Sequence, residues 1–347
     1  MRRNPLGRTG IEVSELCLGT MTFGSQTPED EAHAQMDRAL EAGINFLDCA
    51  EMYPVNPVRA ETVGLSEEIV GTWFARSGRR DAWVVATKHS GEGMMHVRGG
   101  APITPDTIPA AVEGSLRRLK IDCIDLYQFH WPNRGSYHFR KNWRYDPSGQ
   151  DRAETLAHME DALGALAREV ERGTIRAFGL SNETAWGTAQ WLRVAEAAGG
   201  PRAASIQNEY SLLARMADTD LAELCVNEEV GFLPFSPLAA GLLTGKYQGG
   251  ASPPGSRRSH VENLGGRITP RVFAAVGACH EVAGRFGLDP VQMALAWAAR
   301  RPFVASAIFG ATRLAQLEHA LGAAEVVLSD ELLAALDEVH RAHPMPY

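Results

Sequence analysis

Residues 46–54 read FLDCAEMYP, and the fold depends on how this stretch is interpreted. Its apolar beginning has the character of a buried strand that ends at Asp48, and Tyr53 follows in a loop closed by Pro54. A single acid at the end of a strand is usually a turn residue or a helix cap. Its meaning therefore depends on whether other apolar runs in the chain end in a similar way.

Short apolar runs recur along the whole chain and alternate with amphipathic segments of helical period. The eight runs are ELCLG (15–19), INFLD (44–48), AWVVATK (82–88), IDLYQFH (124–130), IRAFGLS (175–181), AASIQN (203–208), VGFLPFS (230–236) and FVASAIFG (303–310). The helical segments include 30–43, 107–120, 154–173, 185–199, 219–229 and 270–287. Continuous apolar strands separated by helices are typical of a parallel sheet that is covered by helices.

Eight strand–helix units predict an α/β fold, a closed (β/α)8 TIM barrel, and a doubly wound sheet is the alternative from pattern alone. The opening PLGRTGIEVS (5–14) predicts a short β-hairpin that turns at residues 8–10 and plugs the bottom of the barrel. Long loops rich in glycine or proline follow the fourth and seventh strands, at 132–151 and 245–266. Because no linker interrupts this pattern, we expect a single domain over residues 1–347.

Composition narrows the class of protein. The net charge of −8 and the absence of a long basic block argue against a nucleic-acid partner. No apolar run reaches the roughly 20 residues of a membrane helix, and MRRNPLGRTG lacks the apolar core of a secretory signal. Five scattered cysteines without CxxC spacing predict reduced thiols and a cytoplasmic protein. The sequence does not reveal the oligomeric state.

The polar residues at the strand ends predict a site. In such a barrel the chemistry lies at the carboxyl ends of the strands, where Asp48, Lys88 and His130 end three neighbouring predicted strands. A free tyrosine, with a pKa of about 10, is a poor acid, but a nearby ammonium group stabilises its phenolate and eases proton donation. A carboxylate can hold that lysine, and a neutral histidine can hold a substrate oxygen. With Tyr53, these groups predict proton delivery to a carbonyl oxygen.

The same residues exclude other chemistry. They contain neither a nucleophile–base pair nor a dense cluster of metal ligands, so we expect no metal. A barrel hydrolase with Asp48 and Glu51 as paired acids is a rival, but it leaves Tyr53 and Lys88 without a role.

At this point the chain resembles the aldo-keto reductase superfamily, and specifically its Tas-like bacterial branch. The similarity runs from residue 3 to about residue 340, and its motifs occur in order. They are GTMTFG (19–24), FLDCAEMYP (46–54), ATKHSG (86–91), IDLYQFHWP (124–132), FGLSNET (178–184), IQNEYSLL (206–213), LTGKY (243–247) and GLDPVQMALAW (287–297).

The resemblance implies a (β/α)8 reductase that uses NADPH, with NADH possible, to reduce an aldehyde or ketone to an alcohol. Tyr53 is then the proton donor, Lys88 and Asp48 tune it, and His130 orients the carbonyl. Trp131 would contact the substrate. Three further aromatic residues of the loop after the fourth strand would extend an apolar wall or simply pack within the loop; these are Phe139, Trp143 and Tyr145.

The resemblance also implies how the cofactor is held, because the chain lacks GxGxxG after its first strand and a Rossmann mode is not supported. The nicotinamide end would meet Gly19, Thr20, Met21, Asp48, Ser181, Asn182 and Gln207, with Phe235 stacked on the ring. The pyrophosphate would lie along Ser236, Leu238, Gly241, Leu243 and Lys246, with Lys246 as the phosphate cation.

The adenosine end would rest on four residues at the start of the last helix, whose free amides suit a phosphate. These are Gly310, Thr312, Arg313 and Gln316, and Arg313 would read the 2′-phosphate. The chain departs from the family at His319-Ala320, where relatives commonly have Glu-Asn and two adenine contacts.

A third function class is a non-catalytic, cofactor-sensing subunit, since some relatives with this fold serve potassium channels. The intact quartet of Asp48, Tyr53, Lys88 and His130 favours an enzyme. The physiological substrate, the preference between NADPH and NADH and the preferred reaction direction are not readable from the sequence.

Overall fold

A computed structural model describes all residues from Met1 to Tyr347. The chain begins with an antiparallel hairpin of β1 (Arg3–Pro5) and β2 (Glu12–Ser14). Eight parallel strands then close into a barrel in chain order, with the last strand paired to the first. They are β3 (Leu16–Gly19), β4 (Phe46–Asp48), β5 (Val84–His89), β6 (Ile124–Phe129), β7 (Ile175–Ser181), β8 (Ala203–Glu209), β9 (Gly231–Phe235) and β10 (Ala307–Phe309). The predicted (β/α)8 barrel and hairpin are confirmed.

Helices surround the barrel, and none of them is both long and apolar enough to cross a membrane. They are α1 (Glu29–Glu41), α2 (Leu65–Ser77), α3 (Thr107–Leu119), α4 (Arg152–Glu171), α5 (Ala185–Ala198), α6 (Asp220–Asn227), α7 (Arg257–His260), α8 (Val272–Arg285), α9 (Pro290–Ala299), α10 (Leu314–Leu321) and α11 (Asp330–Ala342). The sequence predicts that the helix starting near Arg313 is the last one. This prediction is wrong, because α11 follows α10.

Two helices carry too little amphipathic pattern to be recognised in the sequence. Residues of α9 from Val291 to Ala299 are almost all apolar, and this helix is buried on all sides. In α2, Gly71 lies where a Cβ atom would come within 2.2 Å of the Arg118 carbonyl oxygen. Close contact between α2 and α3 thus requires glycine at this position, and it breaks the apolar stripe.

Side chains at alternate strand positions fill the barrel interior, as the two-residue period of a strand requires. The bottom of the interior is apolar, and the hairpin contributes Leu6 to it, a fully buried side chain. Phe46, Ala86 and Leu126 belong to the same cluster. Two residues further along their strands lie Asp48, Lys88 and Gln128, so the interior changes from apolar to polar toward the mouth.

Polar caps fix where the helices begin after the mouth loops. Asp151 ends the loop that follows β6, and its carboxylate accepts a hydrogen bond from the amide of Glu154 at 2.9 Å. Thr184 caps α5 in the same way through the amide of Gly187 at 3.0 Å. These caps satisfy amides that have no partner within the helix, and they set the ends of the loops at the barrel mouth.

Candidate active site

The site lies where β4, β5 and β6 end, because these adjacent strands bring their last inward-facing residues together. Asp48 pairs with Ala86 in the strand register, and Lys88 pairs with Gln128. Lys88 has no exposed surface, and Asp48 is almost as deeply buried. Burial of an ammonium group is unfavourable unless its charge and its donors are matched.

The Lys88 ammonium group has three N–H donors, and three acceptors surround it. Its Nζ lies 2.6 Å from the Asp48 carboxylate and 2.8 Å from the carbonyl oxygen of Cys49. The third contact is to the Tyr53 hydroxyl, at 3.5 Å. Burial is the largest single influence on Lys88 and lowers its pKa, but the Asp48 carboxylate and the Tyr53 hydroxyl together raise the net pKa, so the lysine is charged at neutral pH. The ammonium group thereby links the buried acid to the phenol.

Two glutamine side chains hold the other oxygen of Asp48. Nε2 of Gln207 donates to Asp48 Oδ1 at 2.8 Å, and Nε2 of Gln128 reaches the same oxygen at 3.2 Å. Gln207 was expected at the nicotinamide, whereas Gln128 was not among the expected site residues. Gln128 could have been found, since it stands two residues before His130 on the same strand and so faces the same interior.

Tyr53 reaches the mouth on the loop after β4 and is nearly buried there. Burial raises its pKa above the ordinary value, and the nearby Lys88 opposes this shift without reversing it. The expected easing by lysine is therefore present, but burial is the larger effect. The phenol is fully protonated at neutral pH, which is the form that can give up a proton.

His130 stands beside Tyr53, with the two ring centroids 5.8 Å apart in an edge-to-face arrangement. Burial and the charge on Lys88 hold the pKa of His130 well below its usual range, so the imidazole is neutral. Its Nδ1 is buried and has no hydrogen-bond partner. The Asn182 side-chain amide donates to the His130 carbonyl oxygen at 2.9 Å and fixes the backbone at this residue.

The aromatic residues proposed for a substrate wall divide into two groups. Trp131 lies next to His130, with ring centroids 4.9 Å apart, and Phe139 follows Trp131 at 6.2 Å. Trp143 instead lies under the guanidinium of Arg271, at 5.8 Å, and is 58% exposed. Tyr145 packs on Tyr137 and accepts a hydrogen bond from Gln150, within the loop. Only Trp131 and Phe139 therefore continue from the quartet.

The residues expected at the nicotinamide end gather around the same mouth. Thr20 donates its hydroxyl to the Asp48 carbonyl oxygen at 3.1 Å, and its amide donates to the same oxygen at 3.0 Å, so Thr20 holds the end of β4. Ser181 donates to the Gln207 carbonyl oxygen at 2.8 Å. The side-chain oxygen of Asn182 is buried and unpaired, so it is an acceptor available to a carboxamide.

The segment after β9 has an unusual backbone. Four residues between Phe235 and Leu242 have positive φ angles, and three of them are not glycine; they are Ser236 (54°), Ala239 (50°), Ala240 (57°) and Gly241 (91°). Such left-handed residues cost of order 1 kcal/mol or more each and gather at ligand sites. A Cβ atom at Gly241 would come within 3.2 Å of the ammonium nitrogen of Lys246, so this lysine lies against the segment. The side chain of Leu243 is buried, its amide donates to the Leu238 carbonyl oxygen at 3.3 Å, and its carbonyl oxygen lies 2.9 Å from Nε2 of His280.

The long loop after β9 contains a group of donors that the sequence pattern does not reveal. Ser256 Oγ, Arg257 Nε and the Tyr247 hydroxyl are buried and have no partner. Burial, followed by the guanidinium groups of Arg267 and Arg140, lowers the pKa of Arg257 to about 10. Unpaired donors and unbalanced positive charge are the features of an anion site. The signal in the sequence is the polar pair Ser256-Arg257 inside the loop at 245–266.

The start of α10 differs in one respect from the expected phosphate site. Its first amides are not free, since Leu314 N donates to the Glu31 carboxylate and the amide of Thr312 donates to the side chain of Gln316. The terminus that was expected to be bare is therefore partly occupied. The Arg313 side chain is exposed beside it.

His319 and Ala320 do not take over the roles of the Glu-Asn pair. Nε2 of His319 lies 2.9 Å from the carboxylate of Asp289, and Ala320 is buried. Glu51 is also paired. Its carboxylate accepts from the amide of Ser90 and binds Arg98, so the rival in which Glu51 and Asp48 act as free acids has no support in the geometry.

Comparison with known proteins agrees with the barrel. The model of the Aldo/keto reductase family matches residues 15–341, and the chain belongs to this family. It is therefore a member of a family of oxidoreductases.

Individual relatives refine this placement. The chain is 42% identical to Protein tas of Escherichia coli over 349 residues, which covers 100% of this chain and 99% of that protein, and this places it in a Tas-like branch. It is 32% identical to an uncharacterized oxidoreductase of Bacillus subtilis, YrpG, over 96% of this chain and 94% of that one. It is also 29% identical to a probable voltage-gated potassium channel subunit beta of Arabidopsis thaliana, over 99% and 98% of the two chains.

Proposed function

We propose that the protein reduces an aldehyde or ketone to an alcohol with NADPH, and that Tyr53 supplies the proton. The observation that carries the proposal is the Lys88 ammonium group, which contacts the Asp48 carboxylate at 2.6 Å and the Tyr53 hydroxyl at 3.5 Å. Stability alone does not require a buried acid, a lysine and a phenol in series at the barrel mouth. It suits proton transfer to an oxygen that gains negative charge.

The role of each residue in the proposed reaction follows from its charge. Tyr53 is protonated at neutral pH and gives its hydroxyl proton to the carbonyl oxygen as that oxygen becomes an alkoxide. Lys88 stays charged, and it stabilises the phenolate that Tyr53 leaves behind. The neutral imidazole of His130 holds the carbonyl oxygen beside the phenol. Trp131, adjacent to His130, bounds the substrate on the outer side.

The nicotinamide cofactor fits the unpaired polar atoms of the mouth. When bound, it supplies the hydride. The free oxygen of Asn182 suits its carboxamide, and Phe235 offers an aromatic face. Ser256 and Arg257 supply unpaired donors for a phosphate group, more deeply placed than the exposed Lys246. These residues support a dinucleotide with phosphate groups, and Arg313 supports NADPH over NADH.

The test is Tyr53→Phe, which removes one hydroxyl and keeps the ring that packs against His130. We expect turnover to fall by at least about a hundredfold while the Kd for NADPH is unchanged, because acid catalysis contributes about 10²–10⁴. Tyr127→Phe is the matched control, since the Tyr127 hydroxyl is also buried and has no partner. Steady-state NADPH oxidation measures both variants, and unchanged turnover in Tyr53→Phe contradicts the proposal.

A non-catalytic, cofactor-sensing role is the second candidate, and the likeness to the probable potassium channel subunit favours it. The two roles differ in one measurement. A sensing subunit binds NADPH and shows no carbonyl-dependent oxidation, and it co-purifies with a membrane channel. A reductase turns over without any partner.

A further inference from the structure

We infer that Glu51 and Arg98 form a positioning pair that holds Tyr53 in place, and this inference rests on the proposed function of Tyr53 as proton donor. Glu51 lies two residues before Tyr53 in the loop after β4. Arg98 lies in the loop after β5, the strand that carries Lys88. The pair therefore joins the segment that supplies the phenol to the strand end that supplies the ammonium group.

Both oxygens of the Glu51 carboxylate have partners. Its side chain is 5% exposed, one oxygen binds the guanidinium of Arg98, and the other accepts from the amide of Ser90 at 2.5 Å. The Glu51 amide in turn donates to the Lys88 carbonyl oxygen at 3.3 Å. At the end of β5, Glu51 is thus hydrogen-bonded to Lys88 through its amide and to Ser90 through its carboxylate.

Arg98 is held in a conformation that its backbone disfavours. Its φ is 48°, in the left-handed region, and two glycines with positive φ follow it. A residue without a Cβ atom would suit this position better, so the arginine is there for its side chain. Its guanidinium also lies 3.0 Å from Nδ1 of His89 and donates to the Ser90 carbonyl oxygen at 3.2 Å.

The network reaches Tyr53 through short connections. Lys88 donates to the carbonyl oxygen of Cys49, and the Tyr53 amide donates to the carbonyl oxygen of Ala50. Glu51 therefore lies in the middle of a tight turn anchored at both ends. Val97, the residue before Arg98, packs in the same small apolar cluster as Tyr53. Release of the ion pair frees both the turn and its packing partner.

The bottom of the barrel offers a matched pair. The Asp125 carboxylate is 4% exposed, binds Arg80 at 2.7 Å, and accepts from the amide of Val85 at 2.9 Å. Like Glu51, Asp125 is buried, pairs with an arginine and accepts a hydrogen bond from a backbone amide. It lies at the start of β6, away from the mouth. Asp125→Asn thus reports the cost of losing such a pair where no catalytic group is near.

The experiment compares Glu51→Gln with Asp125→Asn by two readouts. For Glu51→Gln we expect kcat to fall about tenfold to a hundredfold with the Kd for NADPH unchanged, because small displacements of a reacting group cost that much. Hydrogen exchange should rise in residues 49–64 and 90–106. For Asp125→Asn we expect lower stability, unchanged kcat and no change of exchange in these loops.

Two more variants guard against a general loss of stability. Arg98→Lys keeps the charge and should restore most of the kcat that Arg98→Met loses. The double variant Glu51→Gln with Arg98→Met leaves no buried charge unpaired, so it should fold and still show a low kcat. Unchanged kcat and exchange in Glu51→Gln would overturn the inference, and so would an equal loss of kcat in Asp125→Asn. If the wild type oxidises no NADPH, the proposed function fails, and hydrogen exchange still decides the positioning role.

Discussion

The two ends of the barrel neutralise a buried carboxylate with different residues. Each end buries a carboxylate that accepts hydrogen bonds from neighbouring groups and pairs with a cation. At the bottom, Asp125 binds the guanidinium groups of Arg80 and Arg176. At the mouth, Asp48 binds Lys88, which also contacts a phenol.

This difference separates stability from chemistry. The arginines at the bottom contact no phenol, and the apolar plug of Leu6, Ile11 and Val13 closes that end. The mouth keeps groups without partners, among them Nδ1 of His130 and the side-chain oxygen of Asn182. Under the proposed function, a bound carbonyl and nicotinamide would complete these two groups. Changes at the mouth should therefore affect turnover, and changes at the bottom should affect unfolding.

The largest effect is expected from the double variant Asp48→Asn with Lys88→Met, which removes both charges and leaves neither buried alone. Turnover should fall about a thousandfold, because the phenolate of Tyr53 loses its counter-ion. The corresponding bottom variant, Asp125→Asn with Arg80→Met, should turn over like the wild type. Steady-state kinetics and chemical denaturation of both proteins provide the comparison, and equal losses of turnover would remove the distinction between the ends.

A second prediction addresses the plug. Leu6 is fully buried within the apolar cluster at the bottom of the barrel. Leu6→Ala should lower the free energy of unfolding by about 2–5 kcal/mol, the usual cost of a cavity at a buried leucine. The kcat and KM of the folded variant should not change. Urea unfolding followed by circular dichroism measures the first quantity, and a large change in kcat would show that the bottom and the mouth are coupled.

The smallest effect is expected at the exposed rim of the mouth. Arg313→Ala should raise the Kd for NADPH about tenfold, since a charge-assisted hydrogen bond to phosphate contributes about 1.5 kcal/mol or more. The Kd for NADH should change little, because NADH has no 2′-phosphate. Fluorescence titration with both nucleotides measures the ratio. Equal effects on the two nucleotides would assign the 2′-phosphate to another residue, and Arg257→Gln is then the variant to examine.

Much of the mouth could be predicted from sequence because strand periodicity determines it. Asp48, Lys88 and His130 end successive parallel strands, and the carboxyl ends of such strands meet at one rim. Gln128 follows from the same rule, although it was missed. The bottom plug could be predicted as well, since a short hairpin before the first barrel strand has few other places to lie.

The remaining features depend on contacts between loops, which have no period. Glu51 and Arg98 are 47 residues apart in sequence, and only the folded loops bring them together. The same holds for Arg140, which crosses from one long loop to bind Glu209 at 2.8 Å. The carboxylate of Glu31 at the start of α10 comes from a distant helix, so its bond to the Leu314 amide could not be predicted from the sequence. Helix α9 lacked a signal because it is apolar all round.

The most direct measurement is a stopped-flow experiment in which the wild-type protein, loaded with NADPH, is mixed with a panel of aldehydes, diketones and sugar aldehydes. If the mouth is a carbonyl-reducing site, the nicotinamide absorbance falls in a carbonyl-dependent phase, and one alcohol forms for each NADPH consumed. Tyr53→Phe should bind NADPH equally well and lose that phase. Bound NADPH that no carbonyl oxidises, in a protein of native stability, would contradict a catalytic role for the mouth.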